Sequence, residues 1–478
     1  MNIISTEFLI FVVILLIVYY LLPRKYQNIC LLIGSYIFYA SWSWYFAFIL
    51  FGVTTLNFLA GIYFEKKTDN RAWIGTVIGL NIFSLVMYKF LNNRYAFQLV
   101  FQNIPSATLF QDWIMKALLP IGFSFYILQA ISYLVDVSQN RLHASRNFVD
   151  FSLYMAYFPR LLSGPIERAK IFLPKLISTR IVDNQMVGKA VTLILVGLFR
   201  KVVIADLLNG FLQSEYLIKE SGGLVGLSSL LAFTFYLYND FSGYTSIVRG
   251  VSCLFGIELS PNFMQPFFSR SFSEFWTRWH ISLSEWLRDY IFFPLSRRLL
   301  LINNNQRNPL NTYLPPLITM LVSGLWHGFN PAMVFWGGLH GIFLVLERFI
   351  LIRWPGLRPT EGPKWKQITS GVVIFFMVTA AWVPFKIGGL REAFNFWSGL
   401  ASNTIEAIQP SVLLWIIVLC LASLILDFIQ YHKKDEVIFL KWKLFPKAAM
   451  TTLAIICMIV VSFWNMNIPS QVFVYQGF

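Results

Sequence analysis

The sequence predicts an all-α polytopic membrane protein, and three observations predict it. Of its 478 residues, 57% are hydrophobic and only 13% charged, with 47 Phe and a mean hydropathy of +0.61. A soluble domain of this length has no way to hide so much apolar surface. Apolar stretches near the length that crosses a bilayer recur along the chain, among them AWIGTVIGLNIFSLVMYKFL, ITSGVVIFFMVTAAWVPF, VLLWIIVLCLASLILDFI and MTTLAIICMIVVSFW, and roughly ten to twelve spans follow by length and hydropathy. Finally, the runs of the middle region are broken repeatedly by Pro, Gly and charge, as in YFPRLLSGPIERAKIFLPKL, YNDFSGY and LSPNFMQPFFSRSF.

The first apolar stretch, IISTEFLIFVVILLIVYYLL, follows Met1-Asn2 directly. With no basic segment before it and no small-residue cleavage site after it, it reads as a retained anchor rather than a secretory signal. Arg24-Lys25 follow the first span, Lys66-Lys67 and Arg71 follow the third, and Lys and Arg crowd the connections from Gln139 to Arg307. By the positive-inside rule these segments face the cytoplasm and the N-terminus lies outside. The net charge of +15 is spread along membrane loops instead of gathered on one module, which argues against a nucleic-acid partner. The four cysteines, Cys30, Cys253, Cys420 and Cys457, stand far apart in apolar surroundings and read as small core residues.

Without an internal repeat or a low-complexity linker, residues 1–478 read as one membrane domain of three textures. Residues 1–112 form an N-terminal helical bundle, 113–350 a broken central core, and 351–478 the C-terminal spans, three of them clean between 365 and 466. Irregular backbone at membrane depth survives only where protein buries it or water lines it. The central region therefore predicts a pore, a funnel or a reaction chamber, the plainer alternative being a re-entrant loop without function.

Within that core, SRSFSEFWTRWHISLSEWLRDYIFFPL (269–295) has a helical period. Phe275 or Trp276, Trp279, Leu283, Trp286 and Tyr290 recur at three- and four-residue steps. Glu274, Arg278, Glu285 and Arg288 take the other face, and Glu274 with Arg278 is an i, i+4 pair in the favourable order. By pattern alone this is an interfacial amphipathic helix with an aromatic belt, and His280 a spectator on it.

Two of the five histidines, His327 and His340, lie in the oily run SGLWHGFNPAMVFWGGLHG (323–341). The residues before His327 are expected to be helical after the prolines of TYLPPLITMLVSGLW. Gly328, Asn330 and Pro331 end that helix, and a second starts near Pro331. On one straight helix thirteen residues would hold the imidazoles ~20 Å apart, so only the break at 328–331 can bring them closer. Neither H-x-x-x-H nor H-x-x-E-H spacing occurs, which argues against a metal site. There is no G-x-S-x-G elbow and no cysteine in an electropositive setting. What remains is a buried, neutral imidazole acting as a general base, or a hydrogen-bonded core histidine. Asp240, in FYLYNDFSGYTS, is a carboxylate inside an apolar run, where such groups pair or border a watery path. Arg160, Glu167 and Arg168 are placed to pair with one another or to meet an anionic substrate.

Five stretches together resemble the membrane-bound O-acyltransferase (MBOAT) family, in its bacterial alginate O-acetyltransferase branch. They are LPIGFSFYILQAISYLVDV (119–137), NFVDFSLYMAYFPRLLSGPIERAKIFLPKL (147–176), YNDFSGYTSIVRGVSCLFGIELSPNF (238–263), FSEFWTRWHISLSEWLRDYIFFPL (272–295) and VSGLWHGFNPAMVFWGGLHG (322–341). WVPFKIGG (382–389) and the stretch Asn303 to Arg307 depart from the family's text. The resemblance implies a ring of tilted transmembrane helices, with broken or re-entrant helices, around a central tunnel. It implies that His327 is the catalytic base for the acceptor hydroxyl and that His280 is the second family histidine, on the donor side. His340, Asp240, Tyr244, Arg278, Trp326 and Asp289 are the supporting positions, and no metal is implied.

The function so implied is transfer of an acyl group, foremost acetyl, from a cytoplasmic donor such as acetyl-CoA to hydroxyls of an exported polysaccharide or cell-wall glycan. Acetyl-CoA would be a substrate, with no bound cofactor. The implied partners are the donor, the glycan acceptor, membrane lipids and an extracytoplasmic acetyltransferase-like protein; the implied location is a bacterial plasma (inner) membrane. Two rivals stand beside this reading. One is D-alanyl transfer from a carrier protein to teichoic acid. The other, of a different class, is a glycan or lipid transporter or flippase, which broken helices and an intramembrane Asp would also suit.

Overall fold

The computed structural model describes all residues except 67–70, 94–96, 98–119, 214–222, 304–307, 360, 401–408 and 465–478; most of the stretch from Asn303 to Arg307 thus lies outside the described residues. The described chain is helical, with no strand among the described residues. Its helices are α1 (Thr6–Leu21), α2 (Arg24–Ala40), α3 (Trp44–Lys66), α4 (Arg71–Asn92), α5 (Phe123–Ser138), α6 (Phe148–Ala156), α7 (Phe158–Leu161), α8 (Ala169–Ile177), α9 (Asn184–Leu198), α10 (Asp206–Gln213), α11 (Gly223–Leu254), α12 (Phe272–Arg278), α13 (Ile281–Leu287), α14 (Phe293–Ile302), α15 (Pro309–His327), α16 (Pro331–Arg353), α17 (Lys364–Ile387), α18 (Leu390–Leu400), α19 (Pro410–Lys433) and α20 (Leu444–Trp464). Phe199–Ala205 and Arg288–Phe292 are π-helical turns.

Six of these helices are long and apolar enough to cross a membrane: α3, α4, α16, α17, α19 and α20; α1 and α5 are apolar but shorter. Large apolar side chains such as Ile14 and Ile17 of α1 and Ile456 and Phe463 of α20 are exposed, as on surfaces that face lipid. The chain is a multi-pass integral membrane protein.

Two compact units make up the chain. The first is Met1–Ile194 with Tyr244–Ser260; the second is Leu195–Gly243 with the described residues from Pro261 onward. In the first, polar side chains fasten apolar helices to one another. Asn28 donates to Asp150 at 2.6 Å, and the Tyr19 hydroxyl donates to the Phe255 carbonyl at 2.9 Å. The Arg160 guanidinium is buried, bonds the Tyr154 carbonyl and lies 4.2 Å from the Phe172 ring centroid. Glu167 accepts the Ser260 N–H at 2.6 Å, so this acid holds a loop.

In the second unit, α15 and α16 form an antiparallel hairpin built on glycine. A Cβ on Gly324 would strike the Met333 carbonyl oxygen, and one on Gly337 the Met320 carbonyl oxygen. Close backbone approach through small residues is how membrane helices gain packing where water supplies no drive. Replacing Gly337 by Leu is expected to force the pair apart and to destabilise the protein by about 1–3 kcal/mol, read as a lower unfolding midpoint in detergent; an unchanged midpoint would refute the close packing.

Two expectations are corrected here. Helix α15 starts at Pro309, ahead of Pro315 and Pro316, not after them. A proline removes the hydrogen bond to the carbonyl four residues back, and the Thr312 carbonyl that Pro316 frees accepts from Arg348 of α16 at 3.0 Å. The segment 269–295 is not one amphipathic helix. It breaks at Trp279-His280 because His280 has φ +43, a left-handed conformation foreign to a helix interior. Asn262 stabilises the break: its carbonyl accepts the Ile281 N–H at 2.9 Å and its side-chain oxygen the Ser282 hydroxyl at 2.6 Å. Trp279 and Trp286, expected in an interfacial belt, are buried. The Glu274–Arg278 pair forms as expected, at 2.9 Å.

Candidate active site

The site grows out of the α15–α16 hairpin. Helix α15 ends on His327 itself, and Gly328 leaves in extended conformation. Asn330 then caps α16, its side-chain oxygen accepting the Met333 N–H at 2.8 Å, with Pro331 opening the helix. That is the arrangement Asn-Pro favours at a helix start. Folding back on the Gly324–Gly337 contact lays Trp336 against His327, ring centroids 5.1 Å apart and nearly perpendicular. Trp336 precedes His340 by one turn, and those two rings are 4.9 Å apart. The hairpin thus gathers around one indole two imidazoles that a straight helix would separate.

His280 joins from the break between α12 and α13. Its ring packs 4.8 Å from Phe241 and 6.1 Å from Trp326, and Trp326 is 4.8 Å from His327. Imidazole and indole therefore alternate in one file: His280, Trp326, His327, Trp336, His340. The three imidazoles are 1%, 4% and 0% exposed, so bulk water does not reach them. Phe385 of α17 closes on His327 at 5.3 Å, and Trp382 stacks on Trp336 at 5.7 Å.

Polar groups lie around this file. The two ring nitrogens of His340 and the indole nitrogens of Trp276, Trp336 and Trp382 are buried without a hydrogen-bond partner among the described residues. A buried donor left unmade costs about 1–3 kcal/mol. Trp276 sits 5.1 Å from His340 and also lines a cavity of about 230 Å³, with Thr277, Ser284, Arg288, Met320 and Arg348 on its wall. Among the described residues no three His, Cys, Asp or Glu side chains come together as a metal site.

The other expected residues are spread more widely. Asp240 is buried and accepts from Lys201 at 2.7 Å, while Lys201 also lies 2.8 Å from Asp206. Asp240 thus acts in an ion cluster on the π-turn, and its neighbour in sequence, Phe241, is the residue that touches His280. Arg278 bonds Glu274 at 3.0 Å and the Met264 carbonyl at 3.0 Å, and Asp289 accepts from Arg288 at 3.1 Å. Tyr244 belongs to the first unit, where its hydroxyl accepts the Ser163 N–H at 3.2 Å. Trp326 is in the file itself.

Sequence reasoning missed Trp336, Trp276, Trp382 and Phe385. Trp336 stood one helical turn from His340 and offered a signal. Trp382 and Phe385 are more than forty residues from His340, and nothing local marked them.

The profile of the family described as MBOAT, membrane-bound O-acyltransferase family, matches residues 81–383. The chain is 33% identical over 397 residues to the probable alginate O-acetylase AlgI of Pseudomonas putida, covering 82% of this chain and 78% of the relative. It is 28% identical over 407 residues to the peptidoglycan O-acetyltransferase of Helicobacter pylori, covering 78% and 74%. Against the teichoic acid D-alanyltransferase of Streptococcus thermophilus it is 30% identical over 285 residues, covering 55% and 68%.

Proposed function

Because the chain belongs to the membrane-bound O-acyltransferase family, and so is an O-acyltransferase, we propose that it moves acetyl groups from cytoplasmic acetyl-CoA to hydroxyls of an exported polysaccharide or cell-wall glycan, with His327 as the general base. The observation that carries the reading is the position of His327. It ends a helix at a break in the backbone, is sealed from bulk water by Trp326, Trp336 and Phe385, and is joined to His280 through one indole.

The chemistry follows from that position. An imidazole nitrogen of His327 takes the proton of the acceptor hydroxyl as its oxygen attacks the thioester carbonyl. The tetrahedral intermediate collapses with cleavage of the C–S bond, and the imidazolium returns its proton to the departing thiolate. The carbonyl ends at the helix C-terminus favour the positive charge while it exists. Low-dielectric walls strengthen that effect.

The direction of transfer has support in the charge pattern. Arg297 and Arg298 precede α15, and Arg353, Arg358, Lys364 and Lys366 follow or end α16, which supports a cytoplasmic position for the open end of the hairpin. His327 lies at the opposite end. Arg288 and Arg348 on the cavity wall suit the phosphates of coenzyme A, and His280 serves the donor side. An extracytoplasmic partner would receive the acetyl group or present the glycan, in a bacterial inner membrane.

D-alanyl transfer is the second reading, favoured by the similarity to a teichoic acid D-alanyltransferase; the acetylases match over more of this chain. Family membership places an enzyme ahead of the transporter reading. Purified protein in liposomes, given labelled acetyl-CoA or a D-alanyl-loaded carrier with a glycan acceptor, separates the two. Acetyl-CoA consumption with label on the glycan is the expected result. Use of the carrier alone would overturn the acetyl assignment.

A further inference from the structure

We propose that His340, with the indole N–H groups of Trp276, Trp336 and Trp382, forms a hydrogen-bond-donating subsite that holds the carbonyl oxygen of the acyl donor; the assignment rests on the acyl-transfer reading above. His340 is fully buried and ringed by aromatic side chains, with centroids at 4.9 Å for Trp336, 5.1 Å for Trp276, 5.9 Å for Phe343 and 6.2 Å for Trp382. Neither ring nitrogen has a partner among the described residues, and the same holds for the three indole nitrogens.

The polarity of this set selects the occupant. An indole nitrogen only donates, and a neutral imidazole offers one donor and one acceptor, so donors outnumber acceptors in this set. What satisfies the group must bring acceptors, so an alkyl chain and a metal cation are both poor occupants. A thioester carbonyl oxygen is an acceptor, and it gains negative charge as the tetrahedral intermediate forms. Donors fixed in place before that charge appears are what stabilises it.

Position agrees with polarity. Trp276 faces both the 230 Å³ cavity and His340, and Trp336 faces both His340 and His327. A donor whose arm enters from the cavity passes the cage before it meets His327. His340 is then a substrate-touching residue, distinct in task from the base.

Isotope-edited infrared spectroscopy tests this on the full-length protein in nanodiscs, with a carbonyl-¹³C ketone analogue of acetyl-CoA in which CH₂ replaces the sulfur. The bound carbonyl band of the wild type is expected below its position in an apolar solvent. It should move back toward that position in His340→Phe, and when Trp276 or Trp336 is replaced by benzothienylalanine, which exchanges N–H for sulfur at nearly constant shape. His327→Ala should leave it in place. In turnover with acetyl-CoA, each change is expected to lower kcat by about 10²-fold with little change in KM. The benzothienyl variants keep the test alive should His340→Phe fail to fold. A wild-type band that none of these changes moves overturns the subsite and leaves the acetyltransferase reading standing, water then being the cage's only occupant. A wild type that neither binds the analogue nor consumes acetyl-CoA overturns both.

Discussion

His327→Ala is expected to lower acetyl transfer to a glycan hydroxyl by about 10²–10⁴-fold, the range that a positioned general base supplies. Donor binding should survive, because the residue acts on the acceptor's proton and not on coenzyme A. The measurement is turnover in proteoliposomes beside the binding of an unreactive donor analogue, with the unfolding midpoint as control. His327 is 4% exposed and packed among rings, so the alanine leaves a small hole. His327→Gln, closer in volume, separates the chemical loss from that packing loss. Wild-type turnover in either variant would remove His327 from the mechanism.

The largest effect on stability is expected from Asp427→Ala. Asp427 on α19 is fully buried, and its carboxylate pairs with Arg200, itself 4% exposed, on the π-turn. It also accepts from the Tyr238 hydroxyl at 3.0 Å. Removing the acid strands a guanidinium without water, a loss of about 3–5 kcal/mol when one partner of a buried pair is deleted. The paired change Arg200→Met with Asp427→Leu removes both charges and should recover most of that loss. Unfolding of the three variants in detergent reads the difference; equal midpoints for the single and paired changes would show that the ion pair is not what holds α19. Lys201, next in the chain, holds Asp240, and Phe241 touches His280. Asp427→Ala is therefore expected to slow acyl transfer as well, through a shifted His280.

Much of the site was visible in the residue order. Asn330-Pro331 after Gly328 announced a helix end and a new start, and the structure has both. Glu274 and Arg278 announced their own pairing. The motifs around His280 and His327 led to the family, which the matched profile over residues 81–383 shows. Other features were misread for a local reason. The apolar period from Phe275 to Tyr290 is that of a helix, but Asn262, some twenty residues upstream, supplies the hydrogen bonds that stabilise the turn at His280. Two prolines looked like a helix start because the acceptor's rescue by Arg348 comes from the next helix.

Composition, apolar run length and the positions of Gly, Pro and Arg determined by themselves that this is a multi-pass helical membrane protein, where its central hairpin breaks, and that His327 stands at that break. These are local properties: bilayer thickness sets the length of a span, and missing N–H groups or a missing Cβ set its interruptions. Only the tertiary structure decided which rings meet. Whether Trp336 would stand between His327 and His340, whether Trp326 would bridge to His280, and whether Trp382 would cover them from another helix depended on the approach of Gly324 to Gly337 and on buried ion pairs between distant helices. Those are contact energies between residues far apart in the chain, and no local pattern encodes them.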